Sequence, residues 1–155
     1  QIPPSAQKVD YEAELAIIIS KDCKNVKKEQ VFDVILGYTC SNDVSERVFQ
    51  KSDGQWTRAK GFDTFCPIGP VVETCLDGDS VNLKAIVNGK IVQQGNTSDM
   101  IHNITDIVTF ISSIMTLKKG DVIMTGTPEG VGEIKKGDVV EIAIDGIGVL
   151  KNKVV

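Results

Sequence analysis

A β-rich α+β domain with a few short helices is what this sequence predicts, and three observations carry the prediction. Its apolar runs are short, rich in Ile and Val, and closed by turn residues. Between two such runs stands Asn88-Gly89, a strong short-range hairpin signal. Only two or three stretches carry apolar residues at helical spacing. With 155 residues the chain can bury one core and is short for two, so residues 1–155 are read as a single domain.

The first strand is predicted over 12–19, Ile-rich and closed by Ser20-Lys21-Asp22. At its start, "DYEAELAIII" sets Asp10, Glu12 and Glu14 at alternate positions. In a strand the three carboxylates share one face, while Tyr11, Ala13 and Leu15 take the other. Same-face neighbours lie about 7 Å apart at Cα, where like charges in a partly buried site repel by about 2 kcal/mol. Either water or a cation must relieve that repulsion. From this stretch alone, solvated carboxylates on a half-exposed strand are the plainer reading.

A short helix is predicted over 27–35, where Val31, Val34 and Ile35 recur at helical spacing and Gly37 ends it. "YTCSNDVSERVFQ" reads as a strand running into a short helix from about Ser45, with Asn42 or Asp43 as its cap. Residues 51–64 read as a long loop holding Gly54, Gly61 and the lone Trp56. The hairpin "VNLKAIVNGKIVQQG" follows. An amphipathic helix is then predicted over Ile104–Met115, with Ile104, Ile107, Val108, Ile111 and Met115 on one face. "LKKGDVIMTG" and "IKKGDVVEIA" each place a Lys-Lys-Gly-Asp turn before a strand, and Asp145-Gly146 turns the chain into the last one. The count comes to roughly eight strands.

Seventeen Lys and Arg against twenty-one Asp and Glu leave a net charge of −4, with the basic residues scattered, which argues against a nucleic-acid partner. No apolar stretch approaches the roughly 20 residues of a membrane helix, so no membrane partner is expected. Cys23, Cys40, Cys66 and Cys75 form neither a C-x-x-C pair nor a zinc set. They read as buried or half-buried free thiols in a reducing, cytoplasmic compartment, where Asn96-Thr97-Ser98 and Asn103-Ile104-Thr105 carry no glycan. Gln1 stands where an initiator Met would, and Pro3-Pro4 reads as extended chain arriving from earlier residues, so a longer protein is expected.

Asp43 gains interest as a third carboxylate. Two Glu from one strand and an Asp from another strand's end make an oxygen-only site that suits Mg²⁺ or Mn²⁺ and not zinc. Lys60, in "WTRAKGFDTFCPIGP", precedes a flexible Gly and has Phe62, Phe65 and Pro67 around it; alone it reads as a solvated lysine. "TGTPEGVG" at 125–132 is neither a dinucleotide fingerprint nor a Walker sequence. Its backbone N–H groups and the Thr127 hydroxyl can still hold a small carboxylate.

The ordered set "DYEAELAIII", "GYTCSNDVSER", "QWTRAKGFDTFCPIGP", "QGNTSDMI", "LKKGDVIMTGTPEGVG" and "DGIGVLKN" resembles the fumarylacetoacetate hydrolase family from about Val9 onward, and most closely its bacterial hydroxyheptadienedioate isomerase or acylpyruvate hydrolase branch. The resemblance implies the mixed β-sandwich roll of the family's C-terminal domain and a homodimer. It implies Mg²⁺ or Mn²⁺ held by Glu12, Glu14 and Asp43, with Asp10 unassigned. By the same resemblance Lys60 is catalytic and, with Arg47, Gln50 and Thr127, contacts the substrate, and Thr64 stands behind them. Relatives of this type carry a His-Glu pair upstream of the E-x-E strand, so a segment before Gln1 is expected. His102 does not match that pair and reads as a surface or helix-start residue.

The implied activity is metal-dependent chemistry on a small 2-oxo or diketo acid through a metal-stabilised enolate: acylpyruvate hydrolysis, oxaloacetate-type decarboxylation or keto-enol isomerisation. The rival reading is a non-catalytic module that binds a 2-oxo acid through a metal, or a dimerisation scaffold.

Overall fold

A computed structural model describes residues 1–155. The strand predicted over 12–19 is β2 (Ala13–Ile19); a separate short strand, β1 (Val9–Tyr11), precedes it, and both are buried along their whole length. They belong to different sheets. β1 pairs with β4 (Ser45–Glu46) and β9 (Gly132–Glu133) in a small three-stranded sheet. β2 pairs with β3 (Ile35–Asn42) and β8 (Val122–Met124), and β5 (Ile68–Glu73) completes that four-stranded sheet beyond β3. The second four-stranded sheet has the order β11 (Gly148–Lys153), β10 (Val139–Ile144), β6 (Asn82–Val87), β7 (Lys90–Asn96).

The two larger sheets pack face to face, β2 and β3 against β6 and β10. Alternation decides which side chains meet there. Leu15, Ile17 and Ile19 of β2 join Tyr38 and Cys40 of β3, Leu83 and Ala85 of β6, and Val140, Ile142 and Ile144 of β10 in one core. Ile104 and Val108 of α3 (Ile104–Ile114) belong to the same core. The β-rich fold with few short helices is thus present, with every strand pairing antiparallel.

The hairpin turn lies at Asn88-Gly89, both at positive φ (51° and 79°), the conformation that Asn-Gly favours. Each Lys-Lys-Gly-Asp turn closes as its composition suggests: Asp121 accepts from the Lys118 N–H and Asp138 from the Lys135 N–H. Several expectations fail locally. The predicted helix 27–35 is a 3-10 turn over Lys28–Asp33 without a side-chain cap, and Ile35 already belongs to β3. Gly37 ends no helix. It lies inside β3, where a Cβ would come 2.3 Å from the Glu73 carbonyl oxygen of β5, so only a glycine lets the two backbones approach.

Residues 51–64 are not one long loop. They contain the end of α1 (Arg47–Asp53) and all of α2 (Thr57–Lys60), separated by Gly54 at φ 71°. Arg58 holds Asp53 with two hydrogen bonds, 2.7 and 2.6 Å, and stacks 3.9 Å from the Phe49 ring centroid. Those contacts fold α2 back on α1. Glu46, not Asn42 or Asp43, caps α1, accepting from the Phe49 N–H. Met115 has left the helix in extended conformation and is exposed, so it does not continue the buried stripe. Strands number eleven, the excess over expectation being short pieces such as β1, β4 and β9. All four cysteines are free, but Cys66 and Cys75 are exposed.

Candidate metal and substrate site

Glu12 occupies the break between β1 and β2, and its backbone explains what faces it. Its N–H donates to the Asn42 side-chain oxygen at 2.9 Å, and its carbonyl accepts from the Asp43 N–H at 2.9 Å. The point where the strand changes sheets therefore sets Asp43 beside Glu12. Glu14, two residues on, shares the face that alternation predicts. One oxygen from each of Glu12, Glu14 and Asp43 lies within 4.8 Å of the others.

The solvated-face reading of these carboxylates is overturned. Asp10, Glu12, Glu14 and Asp43 are 3%, 8%, 3% and 8% exposed, because α1, α2 and the loop after β8 cover their side of the sheet. Two cations enter the cluster. Arg47, first residue of α1, donates to Asp10 at 2.8 Å and Glu12 at 2.6 Å. Lys60, last residue of α2, contacts Asp43 directly and lies 3.2 Å from Glu12. With all four carboxylates ionised, the two cations leave a formal excess of two negative charges.

Burial shifts the carboxylates, and the carboxylates in turn shift the two cations. Burial pushes Glu14 up to about 7, with Asp43 and Glu12 adding to the rise against the Gly126 N–H and Lys60. Burial also raises Asp43, with Lys60 opposing it. For Lys60 and Arg47 burial acts to lower the pKa, yet the neighbouring carboxylates outweigh it and both end above their ordinary values. All four hold protons more tightly, the carboxylates chiefly because they are buried and the cations because carboxylates face them. A divalent cation fits: it matches the missing two charges, and three buried carboxylate oxygens are a hard-ion donor set.

Around the cluster, Arg47 also donates to the Gln50 amide oxygen at 2.9 Å, which leaves the Gln50 NH₂ as the free donor of that side chain. Thr127 lies in the loop after β8, beside Gly126, whose N–H donates to Glu14 at 2.7 Å. The Thr127 hydroxyl already donates to the Ala13 carbonyl at 2.8 Å, so toward a ligand oxygen only its backbone N–H remains as a donor. Thr64 is exposed at φ 69° and bonds to none of these groups. His102 is also exposed. It lines a cavity of about 610 Å³ with Leu15 and residues 125–129, and none of Glu12, Glu14, Asp43 or Lys60 lines that cavity.

Three participants escaped sequence reasoning. Asp10 is the partner of Arg47, Glu46 fixes the start of α1, and Gln93 of β7 bonds to both Ala13 and Thr127. Only Asp10 carried a signal, its place in the alternation.

Residues 1–155 match the family model described as Fumarylacetoacetate (FAA) hydrolase C-terminal. The chain belongs to the fumarylacetoacetate hydrolase family. An uncharacterized protein of Methanocaldococcus jannaschii is 56% identical over 98% of this chain and 64% of its own length. The mitochondrial oxaloacetate tautomerase of Rattus norvegicus is 41% identical over 99% of the chain and 53% of its own. Among solved structures, the 2-hydroxyhepta-2,4-diene-1,7-dioate isomerase of Mycobacterium marinum superposes with a TM-score of 0.98 at 55% identity, covering 99% of this chain and 61% of that one. The chain thus spans somewhat under two thirds of these relatives. The cluster sits in the fumarylacetoacetate hydrolase fold at the break between β1 and β2.

Proposed function

We propose that this chain is the catalytic domain of a divalent-metal-dependent enzyme that interconverts the keto and enol forms of a small 2-oxo acid. The observation that carries it is the buried cluster with two negative charges in excess, which Glu12, Glu14 and Asp43 present to Mg²⁺ or Mn²⁺. When bound, such an ion supplies Lewis acidity toward the oxygens of a 2-oxo acid. The names of the relatives, a tautomerase and an isomerase, favour proton transfer over C–C hydrolysis or decarboxylation.

The chain's own groups supply the rest. Lys60 is held protonated by Asp43 and Glu12, so it acts as a donor to a substrate oxygen and not as a base. Arg47 has its guanidinium taken up by Asp10, Glu12 and Gln50, and serves to orient the Gln50 NH₂ toward a carboxylate. The Thr127 backbone N–H is a further donor at the loop edge. A homodimer in the cytoplasm, with the general acid or base supplied from outside this domain, belongs to the same reading.

The test follows oxaloacetate keto-enol interconversion by absorbance, with Mg²⁺ or Mn²⁺ and with chelator. Metal-dependent acceleration is expected, together with oxalate binding that requires the ion. Oxalate bound equally well in chelator, or no acceleration with oxaloacetate or an acylpyruvate, overturns the proposal; the second outcome with metal-dependent oxalate binding favours a binding module.

A further inference from the structure

Gln93 is 2% exposed, and its side chain uses both amide hydrogens and accepts a bond at its oxygen. The reason lies in β2, which outruns its neighbour. Its last pairing with β8 is Ala16 opposite Met124, and Leu15 still finds the Thr125 N–H. Beyond that point the Ala13 N–H and C=O on the same edge have no strand to pair with, and buried backbone groups need partners. Gln93 and Thr127 take the place of the strand. The Ala13 N–H donates to Gln93 Oε1 at 3.0 Å, the Thr127 hydroxyl donates to the Ala13 oxygen at 2.8 Å, and Gln93 Nε2 donates to Thr127 Oγ1 at 2.9 Å. The ring is closed. The second Nε2 hydrogen goes to the Pro128 carbonyl at 2.8 Å. Turned over, the amide would set NH₂ against an N–H and oxygen against a carbonyl, so one orientation is enforced.

Ala13 is the residue between Glu12 and Glu14, and Thr127 follows the Gly126 whose N–H holds Glu14. We infer that Gln93 is a positioning residue of the metal site: its amide locks segment 12–14 and loop 126–128 into one frame and so fixes how Glu12, Glu14 and the Thr127 N–H converge. It touches neither ion nor substrate. The inference rests on Glu12, Glu14 and Asp43 being the metal ligands.

Gln93→Met keeps the length of the side chain and removes its hydrogen bonds, and Gln94→Met, at the exposed neighbour, is the control. Two readouts on the intact protein separate the outcomes: amide hydrogen exchange without metal, and calorimetric titration with Mn²⁺ alone. In Gln93→Met the Ala13 amide is expected to exchange at least about tenfold faster while β10 stays protected. Its Mn²⁺ affinity is expected to fall about 10- to 100-fold, the usual cost of losing an outer-shell partner. Gln94→Met changes neither. Unchanged exchange at Ala13 overturns the clamp; faster exchange with wild-type Mn²⁺ affinity overturns the positioning role. Wild-type protein that binds no Mn²⁺ overturns the metal reading itself, and the positioning role with it. Should Gln93→Met not fold, Thr127→Val breaks the ring from the other side, and an affinity there equal to wild type is equally decisive against the role.

Discussion

The backbone N–H of Gly126 donates to Glu14 at 2.7 Å, the only hydrogen bond this buried carboxylate receives from the chain. Glu12 and Asp43 share the Lys60 ammonium, and Glu12 has Arg47 as well. Glu14 therefore has the least compensation of the three, and gains the most from an added cation.

Glu14→Gln removes the ligand charge and keeps both the shape and an acceptor for Gly126. Melting of the metal-free variant is expected at or above the wild-type temperature, because an uncompensated charge is gone. Mg²⁺ or Mn²⁺ is expected to raise the Tm of the wild type, by binding its native state, and to give no such rise in the variant. A variant that keeps the full rise would place the ion elsewhere.

The pH dependence of the metal-free protein follows from the same residue. With its pKa raised to about 7 from 4.5, Glu14 holds more proton in the folded than in the unfolded state between those values. Stability therefore falls as pH rises across that window, by up to about 3 kcal/mol from this group. Urea unfolding at pH 5 and pH 8 should show the loss in the wild type and a flatter profile in Glu14→Gln. Saturating Mn²⁺ should flatten it too.

What the sequence showed and what it hid divide along one physical line. Asn88-Gly89, the Lys-Lys-Gly-Asp turns and the Ile104 helix are local, each settled by residues adjacent to it. The alternation of Asp10, Glu12 and Glu14 was legible, but their burial was not, because α1 and α2 come from the 47–60 segment. Asp43 read locally as a cap, whereas Glu46 wins that position and frees Asp43 to face Lys60. Gln93 had no signal at all: its partners are 80 and 34 residues away.

Gly37 shows the same division and gives a stability prediction. As a helix stop it would tolerate alanine at modest cost. In β3 an added methyl meets the Glu73 carbonyl at 2.3 Å, and backbone cannot yield as a side-chain tip does. Gly37→Ala should cost at least about 2 kcal/mol in chemical unfolding, the range of overpacked core sites. A cost below about 0.5 kcal/mol would mean the β3–β5 approach is looser than described.

Glu46 accepts from the N–H groups of Gln7, Lys8 and Phe49. Burial acts to raise its pKa, yet those backbone donors outweigh it and the carboxyl ends below the usual glutamate value. Its contribution is therefore full above the unfolded pKa and lost as pH falls through the folded one. Glu46→Gln should cost about 1 to 2 kcal/mol at pH 7, as for a lost cap, and the difference from wild type should shrink below about pH 4. A difference that does not change with pH would remove the charge from the explanation.

The donor role proposed for Lys60 separates binding from turnover. Its ammonium, with a side chain 23% exposed, lies between Glu12 and Asp43, so Lys60→Met leaves four carboxylates against Arg47 alone. Without metal the variant should lose about 1 to 2 kcal/mol of stability, less than for a fully buried pair because solvent reaches the site. Mn²⁺ should bind at least as tightly as to the wild type, since the surplus negative charge has grown, and should restore more of the lost Tm. The keto-enol rate should nonetheless fall by about 10² or more, the usual size of a lost donor to the reacting oxygen. Calorimetry with Mn²⁺ and kcat on oxaloacetate, measured on the same preparation, decide the matter. Wild-type kcat in Lys60→Met would make Lys60 a counter-ion for Glu12 and Asp43 and nothing more, while weaker Mn²⁺ binding would mean that the ammonium arranges the carboxylates for the ion instead of competing with it.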